Sequence, residues 1–480
     1  MTLRREPVFP PLDGSVTIPE SIDFNWQHNA DFPIFAYTDD SNKVTEITFL
    51  EFGRACHRVS HLVRPGRTGP DHEIVTVIAL ADTIVYQAVI VGLMIAGLVR
   101  VFNFEQPFPI SPRNAPAAIA HLLEKTSSHR LITTSQTLTS LLDNIKANLA
   151  SDFDLSIEEI PTLNEIYPKL GTESIHDPFE RYPAPRTRPL MSDVALYLHS
   201  SGSTRFPKAI HQTYLNLAHW AAWPSLIQYR DYRPRLRIAA MMLPPFHILG
   251  FYVQILCTMF GLVSLGVYPP RVTSSERTPM IPTAENILEH TRRSRSNSMI
   301  TIPTILQIWA QSTEDVDFLR TLHFVVYSGG AVAQKLGDFI VSRGVRLNPA
   351  YGGTEFGCPT IAIPRPGDES DWAYMEFSDR AEVRWMPQGD GTFECQFLTT
   401  DRHSLSVENL PDVRGYATSD LFVPHPTKPY LWKMYVDFIP TALSISDHFF
   451  SVGRIDDVII HSSGEKTVPG PMEDIVMSSP

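Results

Sequence analysis

A short apolar strand runs directly into a loop of small, hydroxylated residues near the middle of the chain. The strand covers residues 194–198, the loop covers residues 200–204, and the segment closes on Pro207 and Lys208. Gly202 removes side-chain bulk, so backbone N–H groups can approach an anion, while the hydroxyls and Lys208 add donors. The order and spacing of Gly and Lys differ from those of the Walker P-loop. The segment predicts a phosphate-binding loop, with a surface Ser/Thr turn as the alternative.

Strands and helices alternate on both sides of this loop. Upstream, an apolar strand at residues 74–80 precedes a buried helix at 84–96; downstream, a helix is predicted at 211–223 and a strand ending in glycines at 324–330. Beyond about residue 370 the pattern becomes β-rich, as at 380–399. This alternation predicts an α/β fold of layered βαβ sheets with a β-rich subdomain. In open α/β sheets, ligands bind at the carboxyl ends of the strands.

Composition excludes several classes of protein. With 480 residues, of which 43% are hydrophobic, the chain can bury a large core and form more than one domain or subdomain. A net charge of −12 argues against a nucleic-acid partner, which needs a basic face. The four cysteines form no CxxC pair, which is typical of reduced cytosolic thiols. The most hydrophobic window, residues 74–99, is interrupted by Asp82, and no signal peptide is visible, so we expect a soluble cytoplasmic protein with no membrane partner.

Three further motifs follow the phosphate loop. Residues 351–357 combine close-approach glycines with the aromatic Tyr351 and the carboxylate of Glu355. Asp420 lies within residues 416–422, where its carboxylate can accept hydrogen bonds from two ribose hydroxyls. Residues 453–460 carry Arg454 and two aspartates into a short strand. Taken singly, these motifs are as well explained by a Gly-rich turn, a helix N-cap and a charged hairpin.

In this order and spacing the four motifs resemble the adenylate-forming superfamily, which includes acyl-CoA synthetases and the adenylation domains of peptide synthetases. Residues 107–114, the Ala117–Ala118 pair and residues 464–466 are similar to fungal adenylate-forming reductases, the aminoadipate-reductase-like enzymes built from adenylation, carrier and reductase domains. The resemblance covers nearly the whole chain. It implies that ATP activates a carboxylic acid to an acyl-adenylate with the help of Mg²⁺, and that pyrophosphate leaves. Phosphopantetheine and NADPH would act only in the carrier and reductase domains of the same polypeptide.

The resemblance also implies a domain organisation. The large N-terminal core would span residues 1–452, with the phosphate loop at 198–208 and the β-rich part at about 370–452. Residues 453–480 would form the hinge and only the start of the small C-terminal subdomain, whose catalytic Lys would lie further on. We therefore expect either the N-terminal part of a longer protein or a relative that has lost function.

The family's nucleotide-binding residues match positions of this chain. Thr354 would contact the α-phosphate, Glu355 would bind Mg²⁺, Tyr351 would flank adenine, and Asp420 would bind the ribose hydroxyls with help from Arg454. Thr354 and Glu355 thereby also count as catalytic residues, together with His247. The phosphate loop and two glycine-bearing strand ends would supply the remaining nucleotide contacts, from Ser200, Ser201, Gly202, Ser203, Thr204, Lys208, Gly329, Gly330, Ala350 and Gly352.

The acid pocket is predicted from the same matches. His247 holds the family's position beside the acyl carboxylate, and Ile248 stands where relatives that take α-amino acids have Asp. An apolar residue there would leave an ammonium group unpaired, so the acid is expected to lack an α-amino group. The other lining residues indicate a mostly apolar or aromatic acid; they are Leu249, Tyr252, Val326, Ser328, Cys358 and Pro359.

Two residues depart from the family pattern, because Arg205 and Ser419 stand where Gly is usual. Arg205 would restrict the phosphate loop but would add a cation. Two alternatives therefore remain beside the reductase: a stand-alone acyl-CoA synthetase-like ligase, or a degenerate, non-catalytic nucleotide-binding relative. A P-loop kinase is disfavoured by the spacing of the loop.

Overall fold

The structure, a computed structural model, describes the chain except for residues 1–5, 69–72, 98–105, 186, 201–205, 275, 390, 436–458, 461–465 and 468–480. The chain forms two compact units. Unit one comprises Met1–His199, Ala209–Ala222 and Tyr229–Ser296, and unit two comprises Ser200–Lys208, Trp223–Gln228 and Asn297–Pro480. Both units combine helices with β-sheet.

The strands of unit one form a parallel sheet, a mixed sheet and a two-stranded pair. They are β1 (Pro33–Thr38), β2 (Val44–Thr48), β3 (Ile74–Ile78), β4 (Gln106–Pro109), β5 (Arg130–Thr133), β6 (Ser156–Glu159), β7 (Val194–Ser200), β8 (Lys208–Thr213), β9 (Arg237–Ala239) and β10 (Ser264–Gly266). The parallel sheet has the order β4-β3-β5-β6, and β7 pairs with β8. In the mixed sheet, β1 pairs antiparallel with β2 and parallel with β10, which pairs parallel with β9.

The helices of unit one are α1 (Ile18–His28), α2 (Phe49–Val63), α3 (Thr83–Ala96), α4 (Pro116–Thr126), α5 (Thr139–Asn148), α6 (Leu163–Ile166), α7 (Tyr214–Ala221), α8 (Pro224–Asp231, which also enters unit two), α9 (Ile248–Phe251), α10 (Thr258–Gly261) and α11 (Ala284–Arg293). Residues 84–96 of α3 are all buried, as predicted. Within the described part of the chain, no helix is long and apolar enough to cross a membrane.

One helix begins later than the sequence predicts. The helix predicted from residue 211 is α7, which starts at Tyr214, because residues 208–213 form β8 instead. The Thr213 side chain accepts a hydrogen bond from the N–H of Asn216 and so caps the helix at its observed start.

Unit two contains a parallel and an antiparallel layer. Its strands are β11 (Ser298–Thr301), β12 (Val325–Tyr327), β13 (Leu347–Pro349), β14 (Met375–Glu376), β15 (Glu382–Pro387), β16 (Phe393–Leu398), β17 (Gly415–Pro424), β18 (Leu431–Met434), β19 (Ile459–Ile460) and β20 (Lys466–Thr467). The helices that lie wholly in it are α12 (Pro303–Trp309), α13 (Thr313–Leu319) and α14 (Gln334–Ser342). Strands β11, β12 and β13 run parallel, and an antiparallel sheet has the order β14-β18-β17-β16-β15. The predicted α/β fold with a β-rich part is therefore confirmed.

A buried carboxylate in unit one illustrates how the fold shifts proton affinities. Glu51 of α2 is 1% exposed, and its Oε1 accepts a hydrogen bond of 2.6 Å from the N–H of Gly171. Nearby, Glu173 pairs with Arg54 at 2.9 Å and also with Arg58. Burial, reinforced by the charge of Glu173, raises the pKa of Glu51 to about 8. Folding therefore favours the protonated form of Glu51.

Glu51→Gln is expected to stabilise the protein at high pH only. The stability that protonated Glu51 contributes is complete below pH 4.5, its unfolded value, and is lost as the pH rises through about 8. Gln keeps an oxygen for the N–H of Gly171 but carries no charge. We expect the melting temperature of the variant to match the parent at pH 4.5 and to exceed it by about 2 °C or more at pH 9. Exposed Glu180→Gln is the control, and an equal shift at both pH values would contradict the prediction.

Candidate functional site

A tight glycine-rich loop follows β13 in unit two, where the sequence predicts nucleotide contacts. The N–H of Gly353 donates to the carbonyl of Gly357 at 2.9 Å, and the N–H of Gly357 donates back to the carbonyl of Gly353 at 2.8 Å. A Cβ atom on Gly352 would lie 2.5 Å from the Gly357 carbonyl oxygen, so this position requires glycine. Gly357 itself has a φ of +82°, in the left-handed region. The loop thus presents exposed backbone at the carboxyl end of a parallel strand.

Tyr351 and Asp420 meet in unit two, although 68 residues separate them in the chain. The Tyr351 hydroxyl donates a 2.6 Å hydrogen bond to Oδ2 of Asp420, and both residues are buried. Burial, and then the charge of Asp420, raises the pKa of Tyr351 far above its ordinary value. The tyrosine therefore stays a donor at any physiological pH. Its ring packs edge-on against Phe422 and tilted against Phe356, so the pair is held rigidly.

Thr354, predicted to contact the α-phosphate, and Glu355, predicted to bind Mg²⁺, lie in the same loop. Thr354 is buried, and Glu355 is half-buried, with its backbone carbonyl accepting the N–H of Ser406 at 2.8 Å. Of the residues the structure describes, none forms an ion pair with the Glu355 carboxylate. A Mg²⁺ ion held mainly by phosphate oxygens needs one or two protein carboxylates, and an uncompensated half-buried Glu fits that requirement.

The neighbouring strand end also lies in unit two. After β12 the chain continues through Ser328, Gly329 and Gly330, and Gly329 has a φ of +83°. The N–H of Ala350, just after β13, donates to the carbonyl of Tyr327 at 2.8 Å, so the two strand ends lie side by side. Among the predicted pocket residues here, Val326 is buried in the sheet, Pro359 is buried and Cys358 is half-buried. Burial raises the pKa of the Cys358 thiol to about 11, so it stays protonated.

The phosphate loop is bounded by described residues. Ser200 ends β7, and Lys208, which is exposed, begins β8. The other residues predicted to hold the phosphates, Ser201, Gly202, Ser203 and Thr204, lie outside the described residues. Arg454, predicted to assist Asp420 at the ribose, also lies outside them.

The residues predicted to contact the acid through a short helix lie in unit one. His247 caps α9, because its Nδ1 accepts the N–H of Leu249 at 3.2 Å. Ile248 is the first residue of α9; both it and Leu249 are half-buried, whereas Tyr252 is buried. Tyr252 opens a π-helical segment, Tyr252–Cys257, a conformation that often marks functional sites.

His199 lies directly before Ser200 at the end of β7, and its type alone carries no functional signal in the sequence. Its Nε2 accepts a 3.1 Å hydrogen bond from the N–H of Ser111, which ties this strand end to the segment after β4. Burial, and then the charge of His247, lowers the pKa of His199 to about 4. The ring is therefore neutral at physiological pH and keeps the lone pair that Ser111 requires.

Comparison with known protein families shows which family the chain belongs to. The model of the AMP-binding family, described as AMP-binding enzyme, matches residues 23–376. The chain belongs to the AMP-binding enzyme family. Members of this adenylate-forming family use ATP and release AMP, typically with Mg²⁺. The match includes the glycine-rich loop after β13 and ends before Asp420.

The most similar relatives compared are all adenylate-forming reductases, a subgroup of this family. The chain is 46% identical over 475 residues to "Adenylate-forming reductase Nps11" of Serpula lacrymans var. lacrymans (strain S7.9), covering 98% of this chain and 41% of the relative. It is 41% identical to "Adenylate-forming reductase Nps9" of the same organism, again covering 98% of this chain and 41% of the relative. The predicted resemblance is thereby confirmed, and the chain is an adenylate-forming domain. It spans about two fifths of the length of these relatives.

Solved structures agree on the fold. The o-succinylbenzoate CoA synthetase of Bacillus subtilis matches with a TM-score of 0.68 at 15% identity, over 96% of this chain and 83% of that structure. The amide bond synthetase McbA of Marinactinospora thermotolerans also matches with a TM-score of 0.68, at 14% identity, over 97% and 84%. At these identities the likeness concerns the fold alone.

Proposed function

We propose that this domain activates a carboxylic acid with ATP and that further domains of the same protein transfer and reduce the acyl group. An oxygen of the acid attacks the α-phosphorus, the bond to the bridging oxygen breaks, and pyrophosphate leaves with an acyl-adenylate as the other product. The observation that carries the proposal is the Tyr351–Asp420 pair beside the glycine-rich loop of unit two. The acyl group would then pass to a phosphopantetheine thiol on a carrier domain and be reduced with NADPH.

Each predicted residue would have one role in binding the nucleotide or in the reaction. Asp420 would accept hydrogen bonds from the ribose hydroxyls, with Arg454 assisting, and Tyr351 would flank adenine. Thr354 would donate to the α-phosphate, where negative charge builds up as the bond breaks. Mg²⁺ would be held by Glu355 and would neutralise the leaving pyrophosphate.

The remaining nucleotide contacts would come from backbone and hydroxyl groups. Ser200 and Lys208 bound the loop that would hold the β- and γ-phosphates together with Ser201, Gly202, Ser203 and Thr204. The adenosine would lie along the strand ends at Gly329, Gly330, Ala350 and Gly352. Gly352 lets this loop fold tightly, since a Cβ atom there would clash with the carbonyl oxygen of Gly357.

The acid is proposed to be apolar or aromatic and to lack an α-amino group. Ile248 is half-buried directly after His247, so the position that would face an ammonium carries no charge. Leu249, Tyr252, Val326 and Cys358 add apolar surface on their respective units. The cytoplasmic location predicted from the sequence stays a prediction.

ATP–pyrophosphate exchange tests the proposal directly. We expect exchange in the presence of an apolar or aromatic acid, measured on the protein that contains this chain with its complete C-terminal subdomain. Lys208→Ala should raise the KM for ATP by about tenfold and leave the KM for the acid unchanged, because a charged hydrogen bond to phosphate is lost. The exposed Lys335→Ala is the matched control. ATP binding without exchange for any acid would favour a degenerate nucleotide-binding protein instead.

A further inference from the structure

Asp420 lies at a bulge in strand β17. Glu394 on β16 pairs with Leu421, whereas Gln396 pairs with Ala417, so three residues of β17 stand opposite the single residue between Glu394 and Gln396. At the centre of the bulge, Ser419 has a φ of +62°, in the left-handed region that disfavours residues with a Cβ. The bulge turns the backbone immediately before Asp420, so its stability determines where the Asp420 carboxylate points.

Glu394 holds this strained residue. Its Oε1 accepts the N–H of Ser419 at 3.1 Å, and its side chain is buried, with the residue 8% exposed. On the other side of the bulge, the Thr418 hydroxyl accepts the N–H of Asp420 at 3.1 Å and donates to the carbonyl of Cys395 at 2.7 Å. In a buried site both hydrogen bonds restrain the backbone strongly, because little water competes for the two N–H groups.

A chain of polar side chains supports Glu394 across the sheet. The second oxygen, Oε2, accepts Nε2 of Gln396 at 2.6 Å, and Oε1 of Gln396 accepts Nε of Arg384 at 2.8 Å. Arg384 in turn pairs with Asp412 at 2.6 Å and 3.1 Å. Both carboxylate oxygens of Glu394 are therefore engaged, which fixes the rotamer that reaches Ser419.

We propose that Glu394 is a positioning residue for nucleotide recognition: it fixes the left-handed turn at Ser419 and thereby aims the Asp420 carboxylate at the ribose. This inference rests on the proposed ribose role of Asp420. Tyr351 restrains the carboxylate directly at Oδ2, and Glu394 restrains the backbone that carries it. The two restraints come from the loop after β13 and from strand β16, and they act on different atoms of the same segment.

Calorimetry on the 480-residue chain separates this role from a general effect on folding. The ligands are ATP and 2′,3′-dideoxy-ATP, which lacks both ribose hydroxyls, and the readout is the ratio of their dissociation constants. We expect the parent to prefer ATP by about tenfold or more and Asp420→Asn to abolish the preference. Glu394→Ala should reduce the preference at least about threefold while leaving the affinity for 2′,3′-dideoxy-ATP unchanged.

A second substitution that restores the preference for ATP tests the same role independently. Glycine adopts the left-handed conformation freely, so Ser419→Gly in the Glu394→Ala background should restore most of the preference for ATP. Glu394→Gln, which keeps the shape and one acceptor oxygen, should fall between the parent and Glu394→Ala. It also serves as the test if the alanine variant does not fold. The control is Glu382→Ala, an exposed Glu on β15 of the same sheet, which should keep the parent ratio.

The results distinguish a failure of the proposed ribose site from a failure of the proposed role of Glu394. If Asp420→Asn keeps the preference for ATP, or no variant binds ATP, the proposed ribose site is wrong and this inference falls with it. If Asp420→Asn abolishes the preference while Glu394→Ala and Glu394→Gln keep it, only the role of Glu394 is overturned. Equal loss of affinity for both nucleotides in the folded Glu394 variants would show a purely structural role and would also overturn the proposal.

Discussion

Glu355→Gln is expected to lower the rate of ATP–pyrophosphate exchange by about 100-fold or more without unfolding the protein. The amide keeps the size and shape of the side chain but lacks the charge that a hard divalent cation requires. The backbone carbonyl of Glu355, which accepts the N–H of Ser406, is unaffected by the change, so the loop should keep its conformation. Because Glu355 has no ion-pair partner among the described residues, its replacement strands no buried cation.

A titration with Mg²⁺ gives this prediction its specific readout. Residual exchange by the Gln variant should require a higher Mg²⁺ concentration for half-maximal rate, whereas Glu382→Gln should titrate like the parent. Equal melting temperatures would show that both variants are folded. If Glu355→Gln keeps the parent's rate and the same half-maximal Mg²⁺ concentration, Glu355 does not bind Mg²⁺ and is only a turn residue.

Local patterns in the sequence predicted the elements that strong apolar runs specify, and the late start of α7 has a physical cause. The strand β3 and the helix α3 follow from two apolar runs separated at Asp82, because burial alone specifies them. Residues 211–213 were predicted as helix but belong to β8, which has one strongly apolar residue, Ile210, and owes its conformation to pairing with β7. Strand pairing is a non-local interaction, so the residues of β8 alone do not reveal it.

The same distinction applies to the candidate site. The sequence marked the glycines after β12 and β13 as conformationally special, and the structure gives a reason at two of them. A Cβ atom on Gly352 would clash with the loop, and Gly329 has a left-handed φ. The hydrogen bond between Tyr351 and Asp420 could not be predicted, since it joins two distant segments. The one sequence signal for the role of Glu394 was indirect: Ser419 replaces the family's usual glycine, and a residue with a Cβ in a left-handed turn needs a compensating partner.

The choice of acid is expected to depend on Ile248. Bringing an α-ammonium group against this half-buried side chain would remove water from the charge and supply no partner, at a cost of several kcal/mol in the idealised case of complete burial. An aryl or alkyl carbon in the same place instead gains about 25 cal/mol for each Å² of apolar surface removed from water. We therefore expect kcat/KM for a plain acid to exceed that for its α-amino counterpart by about 100-fold.

Ile248→Asp should shift this preference towards the amino acid. The new carboxylate would pair with the ammonium, and its own burial beside an uncharged acid would be unfavourable, so both changes favour the amino acid. We expect the ratio of kcat/KM for the plain and amino acids to fall by about tenfold or more, measured by pyrophosphate exchange with benzoate-like and short-chain acids and their α-amino counterparts. Ile281→Asp, at a position 72% exposed, introduces the same charge and should leave the ratio unchanged. If the parent protein activates an α-amino acid best, the assignment of Ile248 to the pocket is wrong even though the family affiliation stands, because affiliation and specificity rest on different residues.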